Sequence, residues 1–282
     1  MPVLWEGILL RLAKRWISGT DAESAIKDAW AANKRGMSAV INYLGEDVTD
    51  QSVAEAHLQE YLRMQRAISE NGINGCVSVK LTQFGLGAED ARCEERLVRA
   101  AGHAAGLRQL LWIDMENSPF VERTLEIYLK TREKFENVGL AQQAYLRRSE
   151  GDLNRLIDKG ARIRLVKGAY REPHTVVFPT RGEVTKNYSK LMGILFDGAD
   201  NFAIGTHDSR MIKEAKKLSE SRHVNFEFEM LKGVRDELKD ELVSSGYRVG
   251  EYLPYGAEWY RYSRRRISEH PRNILLLIRS LF

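Results

Sequence analysis

Eight short apolar runs, each followed by a longer amphipathic and charged stretch, recur along the 282 residues. This alternation constrains the fold more than any other feature. The runs occupy residues 38–44, 76–82, 110–115, 139–145, 162–168, 201–207, 225–231 and 247–255, with starts 22 to 39 residues apart. Most are rich in β-branched or aromatic residues, the composition of strands buried on both faces. The run GLAQQAY at 139–145 departs from this, because Ala and Gln favour helix.

The intervening stretches carry helical periodicity and end signals. They predict helices over 50–70, 89–105, 118–135, 150–158, 185–196, 208–220 and 234–244, and a last one from about 255 to about 270, before Pro271. Asp50 reads as an N-cap with Gly72 closing that helix, and Ser118 as an N-cap with Pro119 at the first helical position. Strand–helix alternation implies parallel neighbours joined by right-handed crossovers. Eight units in about 250 residues predict a distorted (β/α)8 TIM-type barrel with an N-terminal helical arm. The competing architecture is a doubly wound open sheet, which carries a Gly-rich turn after its first strand when it binds a dinucleotide. Here the first run continues Leu44-Gly45-Glu46-Asp47, and Gly85-Leu86-Gly87 is too weak a substitute. Six prolines leave no evident hinge, so the chain reads as one domain over 1–282, with an arm at 1–36 and a barrel at 37–282.

Composition adds little beyond exclusions. Forty-three Lys+Arg against 39 Asp+Glu leave a net charge of +4 with both signs interspersed, too mild to argue for nucleic acid. The longest apolar runs are too short to span a bilayer. Two cysteines, Cys76 and Cys93, build no disulfide framework and fit a reducing, cytoplasmic setting. There is no HxH, HExxH or CxxC for a metal site, no GxSxG and no Walker A motif.

In a barrel, chemistry sits at the C-terminal strand ends. Those positions carry Lys80, Asp114, Gln143, Arg164, Lys167, Thr206, His207 and Tyr252. Charges inside apolar runs are expensive unless paired, and several converging on one mouth suit a polar ligand. Each also has a purely structural reading. Lys80 and Asp114 could form an ion pair between neighbouring strands, and Lys167 could leave for solvent. His207 could sit at a helix entry capped by Asp208, and Tyr252 could pack in the core. Of Arg162 and Arg164, one is expected to face the helical layer or solvent; of Gln142 and Gln143, only one points inward.

The segment 252–269 is dense in aromatics and arginines. On a helix, Tyr262, Arg265, Arg266 and Glu269 share one broad face, with Glu269 placed to orient both arginines. Two adjacent guanidiniums clamp a carboxylate or phosphate. A basic helix for nucleic acid or lipid is the alternative, with Trp259, Tyr260 and Tyr262 interleaved.

Taken together, these blocks resemble the proline dehydrogenase family, FAD-dependent enzymes on a distorted (β/α)8 barrel. The resemblance runs from INYLGE at 41–46 to the C-terminus. It is carried by VSVKL at 77–81, WIDME at 112–116, QAYLRR at 143–148, RLVKGAY at 164–170, THD at 206–208, FEF at 226–228 and YSRRRISE at 262–269. It implies oxidation of L-proline to Δ1-pyrroline-5-carboxylate, by hydride transfer from C5 to the flavin N5, as the first step of proline catabolism. It implies that Arg265, Arg266 and Lys80 bind the proline carboxylate, that Tyr252 and Tyr262 flank the ring, and that Asp114 holds Lys80 and an arginine of that pair in place. Arg164 is implied beside N5, and Met115, Gln143, Lys167, Gly168, Ala169, Thr206, His207 and Glu269 at the FAD, with Thr180, Arg181 and Leu231 as further contacts. The electron acceptor would be a quinone or another oxidant. The product would pass to a separate pyrroline-5-carboxylate dehydrogenase, since no aldehyde dehydrogenase domain accompanies the barrel. Glu229 stands where many members have glutamine. Arg264 extends the arginine pair to three, and the pair is placed at 265 and 266 because Tyr262 and Glu269 then keep the family spacing. Tyr252 is the position expected to discriminate against hydroxyproline.

A different class on the same barrel is a Schiff-base aldolase with Lys80 or Lys167 as nucleophile. The amphipathic, basic arm at 4–16 has three open fates: covering the barrel, oligomerisation, or a peripheral contact with the inner face of a membrane.

Overall fold

Eight parallel strands close into a barrel in sequence order, in a computed structural model that describes residues 9, 10 and 13–269, with side chains through Arg264. The strands are β1 (Ser38–Tyr43), β2 (Gly75–Lys80), β3 (Leu111–Asp114), β4 (Val138–Gln143), β5 (Arg162–Val166), β6 (Asn201–Gly205), β7 (Asn225–Leu231) and β8 (Val249–Tyr255). Each pairs with the next, and β8 closes on β1 with Tyr252 opposite Val40.

The helices are α1 (Ala22–Lys34), α2 (Gln51–Glu70), α3 (Asp90–Gly106), α4 (Val121–Arg132) and α5 (Ser149–Asp158). Then come α6 (Arg181–Gly198), α7 (Ser209–Ser221), α8 (Asp236–Ser244) and α9 (Trp259–Glu269). Alternate strand residues such as Ile41, Val79, Ile113, Leu140, Leu165, Ile204 and Phe228 point outward and form one core with the helices. The strand β4 forms despite its Ala and Gln, because all six of its residues are buried and burial outweighs propensity. Its Gly139 is required locally: a Cβ there would lie 2.4 Å from the Trp112 ring.

Trp112 is the centre of the barrel interior, fully buried with Val40, Cys76 and Ala203, and with Leu110 and Tyr252 against it. Two guanidiniums lie over its ring, with the Arg162 and Arg164 carbons 5.8 and 4.8 Å from its centroid. The expectation that one of these arginines faces outward is therefore corrected. Positions i and i+2 share a face, so both point inward, Arg162 toward the lower end and Arg164 toward the mouth.

Strand centres match the sequence reading, while several ends fall short of it. β2 stops at Lys80, where Leu81–Phe84 turns into a 3₁₀ helix closed by Gly85 at φ 93°. β5 stops at Val166 and β6 at Gly205. Residues 167–168 and 206–207 thus lie on the rim. The last helix begins at Trp259 because Tyr255 still pairs with Tyr43 as the end of β8. Asp50 and Asp208 cap α2 and α7 as expected. Ser118 does not cap: its backbone N–H and its hydroxyl both donate to Glu172, at 2.6 Å each. The segment instead opens as a 3₁₀ turn, Ser118–Phe120, before α4. Thr180 and Glu183 form a reciprocal capping box, which starts α6 at Arg181 rather than 185.

The distortion of the barrel lies at its seam. The alanine stripe of α1 (Ala22, Ala25, Ala29, Ala32) is buried, and α1 packs beside β1 and β8, where the helix following β8 would otherwise sit. α9 goes to the mouth instead. Its Tyr262 is buried with Leu44, Ala13 and Ile17, and the Trp16 indole donates to Ser263 at 2.9 Å. The described end of the arm thus covers α9. Among the described residues no helix is long and apolar enough to cross a membrane.

Candidate active site

The C-terminal ends of β2, β3, β5 and β8 bring Lys80, Asp114, Arg164 and Tyr252 into one network. The register places Lys80 directly opposite Asp114, with Nζ 4.0 Å from Oδ2. Arg164 Nη2 donates to Asp114 Oδ1 and, at 2.9 Å, to the Ser78 hydroxyl. Ser78 donates to the same Oδ1 at 2.9 Å, and the Tyr252 hydroxyl donates to Oδ2 at 2.6 Å. Asn42 completes the lower layer: its Oδ1 accepts from Lys80 at 3.2 Å, and its Nδ2 donates to the Ser78 carbonyl at 2.8 Å. Burial pushes the Asp114 carboxyl upward, but Arg164, Lys80 and the Tyr252 and Ser78 hydroxyls outweigh it and hold it below the usual carboxylate range.

On the other side of Arg164, Nη1 donates to Glu229 Oε2 at 2.8 Å. Glu229 is 4% exposed. Burial pushes it up to about 7 against the pull of Arg164, and neighbouring Glu227 adds to the rise. A second buried carboxyl, Glu116, accepts from the Thr82 backbone at 2.9 Å and from the Thr82 hydroxyl at 2.5 Å. Burial also raises it to about 7, over the opposing hydrogen bonds of Thr82.

The remaining rim residues lie at the ends of β3 to β7. Gln143 points inward and donates to the Met115 carbonyl at 3.1 Å, while Gln142 turns to the helical side and donates to the Ser149 carbonyl at 3.4 Å. Gln143 Oε1 is buried with no hydrogen-bond partner. Lys167 pairs with Asp208 at 2.9 Å. Gly168 stands at φ 103°, and a Cβ there would overlap the Tyr145 ring at 2.3 Å, so the chain turns tightly toward half-buried Ala169. Thr206 is buried and accepts the Asp208 N–H at 3.2 Å. His207 Nε2 accepts the Leu231 N–H at 2.9 Å. Thr180 and Arg181 begin α6, with the Thr180 hydroxyl bonded to Glu183 at 2.6 Å. Arg265, Arg266 and Glu269 stand on α9, but their side chains lie outside the described residues.

Sequence reasoning singled out the charged members and missed Asn42, Ser78, Trp112 and Glu116. A signal existed for two of these. Ser78 and Trp112 each stand two residues before a singled-out position, and period 2 places them on the same inner face. The partner of Glu116, Thr82, is 34 residues away and leaves no local trace.

Fold and site define a (β/α)8-barrel enzyme with a buried network of paired charges at its mouth. The family model of proline dehydrogenase matches residues 25–273, and the chain belongs to the proline dehydrogenase family. It is 34% identical over 287 residues to proline dehydrogenase 2 of Bacillus subtilis, covering 98% of this chain and 95% of that one. It is likewise 34% identical over 278 residues to the proline dehydrogenase of Deinococcus radiodurans, covering 96% of this chain and 90% of that one. The solved structure of proline utilization A from Bdellovibrio bacteriovorus shares the fold, with a TM-score of 0.85 and 24% identity over 92% of this chain. The present chain spans 32% of that longer protein. The activity is the oxidation of proline, and the aldolase reading is set aside. Lys80 and Lys167 each have a carboxylate within 4.0 Å, Asp114 and Asp208 respectively.

Proposed function

We propose that this chain oxidises L-proline to Δ1-pyrroline-5-carboxylate with FAD held along the rim of β3 to β7. The observation that carries the reading is the buried network of Lys80, Asp114, Arg164 and Tyr252, beside an unpartnered Gln143 Oε1. That orphaned acceptor fits a donor on the cofactor, and Lys167, Thr206 and His207 supply the cation and hydrogen-bonding groups suited to a pyrophosphate. Met115, Gly168, Ala169, Glu269 and, further out, Leu231, Thr180 and Arg181 complete the cofactor side. Bound there, FAD supplies the acceptor for the hydride that leaves C5 of the ring.

The chain's own residues do the positioning. Arg265, Arg266 and Lys80 hold the substrate carboxylate, and Tyr252 and Tyr262 flank the ring, so that binding energy is converted into orientation. Asp114 fixes Lys80, Arg164 and the Tyr252 hydroxyl in a single arrangement. Arg164 presents permanent positive charge where negative charge accumulates on reduction. Electrons leave to a quinone or another oxidant, the imine passes to a separate pyrroline-5-carboxylate dehydrogenase, and the protein works in the cytoplasm. The test is the visible spectrum of the purified protein: a flavin absorbance that bleaches anaerobically with L-proline supports the reading. A colourless protein that takes up no FAD overturns it.

A further inference from the structure

Arg164 lies between two carboxylates that differ in how they are satisfied. Both oxygens of Asp114 are occupied, Oδ1 by Arg164 and Ser78 and Oδ2 by Tyr252, with Lys80 nearby. Glu229 uses only Oε2, for Arg164; its Oε1 is buried with no partner. An ionised carboxylate with an unsolvated oxygen is costly, and protonation is the inexpensive way to relieve it. The groups that face Glu229 favour this outcome. Arg164 from β5 opposes it, but Glu227 on β7 and Asp114 on β3 are like charges. Cys76 from β2 is a thiol that burial and then Glu229 itself push upward. Arg162, one pleat below Arg164, is engaged with Glu227 at 3.9 Å. In the register Gly205 of β6 and Gly250 of β8 stand opposite Glu229, with Ser38 and Val40 of β1 beside Gly250.

We infer that Glu229 is a proton-exchanging counter-ion of Arg164, taking up one proton from solvent when negative charge arrives at the mouth. The inference rests on the flavin reading above. Hydride transfer from proline adds two electrons and one proton to the bound cofactor and leaves it with one more negative charge. Arg164 then has two anions to serve. Protonating Glu229 neutralises the one that already lacks solvation and leaves the guanidinium to the other. Glu229 is thus a positioning residue that acts through Arg164, and its function is to make the driving force of the oxidation depend on pH. The raised affinity of this carboxyl for a proton, near neutrality before reduction, places the effect from about pH 7 upward.

The test is the midpoint potential of the FAD-loaded full chain between pH 6 and 9, for the wild type and for Glu229→Gln, with infrared difference spectra on reduction. Above about pH 7 the wild-type reduction equilibrium should shift an extra tenfold per pH unit, about 30 mV for a two-electron couple. Glu229→Gln should lose that extra slope and lie at higher potential at pH 9, because it lacks the competing anion. A protonated glutamic acid band should grow on reduction in the wild type and be missing from the variant. Parallel potential–pH lines without offset, or the same band in both proteins, would overturn the inference. If Glu229→Gln does not fold, Glu229→Asp with carboxyl-labelled glutamate serves: loss of the label-sensitive band supports the assignment, and its persistence overturns it. A protein without flavin removes the cofactor reading, and this inference with it, whereas a reducible flavin with an unchanged slope removes the inference alone.

Discussion

The Tyr252 hydroxyl donates to Asp114 Oδ2 at 2.6 Å, while Arg164 and Ser78 occupy Oδ1 of the same carboxylate. Four strands are thereby tied to one side chain: β2 through Ser78, β3 through Asp114 itself, β5 through Arg164 and β8 through Tyr252. Such a hub fixes the mouth before any substrate arrives, which is what a site built on orientation requires.

Replacing the hub tests it directly. Asp114→Asn leaves Arg164 with Glu229 as its carboxylate partner and removes the ion pair of Lys80, and should lower stability by about 3 kcal/mol. The pH dependence has a definite sign. The folded carboxyl titrates below its unfolded value, so its contribution is complete above about pH 4 and is lost as pH falls through the folded value. Denaturant melts of both proteins should therefore show a full gap at pH 7 that closes in acid. A gap that is flat with pH would contradict the assignment.

Tyr252→Phe keeps the ring and removes one hydrogen bond to a charged acceptor, worth roughly 1.5 to 3 kcal/mol. Steady-state kinetics should show a fall in kcat/KM for proline of about tenfold or more. Tyr252→Ser removes the ring altogether and should raise the kcat/KM ratio of 4-hydroxyproline to proline. An unchanged ratio would mean that the phenol does not border C4 of the substrate.

Glu116 carries the opposite sign from Asp114. Its carboxyl binds a proton more tightly in the folded chain than in the unfolded one, so stability falls as pH rises from about 4 to about 7. Glu116→Gln removes the titration, and Gln can both accept from the Thr82 N–H and donate to its hydroxyl. The wild type should lose up to about 3 kcal/mol relative to the variant between pH 4 and pH 8, read from urea midpoints at each pH. Superimposable pH profiles would show that Glu116 does not titrate in this range.

The proposed carboxylate clamp predicts a KM effect. Arg266→Ala should raise the proline KM on the order of 100-fold, the loss expected from about 3 kcal/mol of charge-assisted hydrogen bonding. Arg266→Lys should recover part of it, since an ammonium keeps the charge but not the fork. A proline KM unchanged in Arg266→Ala would remove this residue from the clamp.

Strand cores were legible because the outward-facing positions, at every second residue, are buried and aliphatic, as at Val77 and Val79 and at Ile163 and Leu165. Strand ends were not, because what stops them is supplied by neighbours. Asp208 caps the helix after β6 and draws Thr206 off the strand. Ser118 read as a cap because Pro119 follows it, yet its partner is Glu172, 54 residues on. Lys80, Asp114, Arg164 and Tyr252 were found as charges or phenols inside apolar runs. The division of labour between Asp114 and Glu229 was hidden, because it depends on which oxygen atoms find donors across the barrel, a property of closure rather than of any segment.

Trp112, in contact with both guanidiniums and with Gly139 making room for it, has a consequence for traffic. With Val40, Cys76 and Ala203 buried beside it, the indole fills the barrel interior next to Arg164, so at this level the barrel is a plugged vessel and not a pipe.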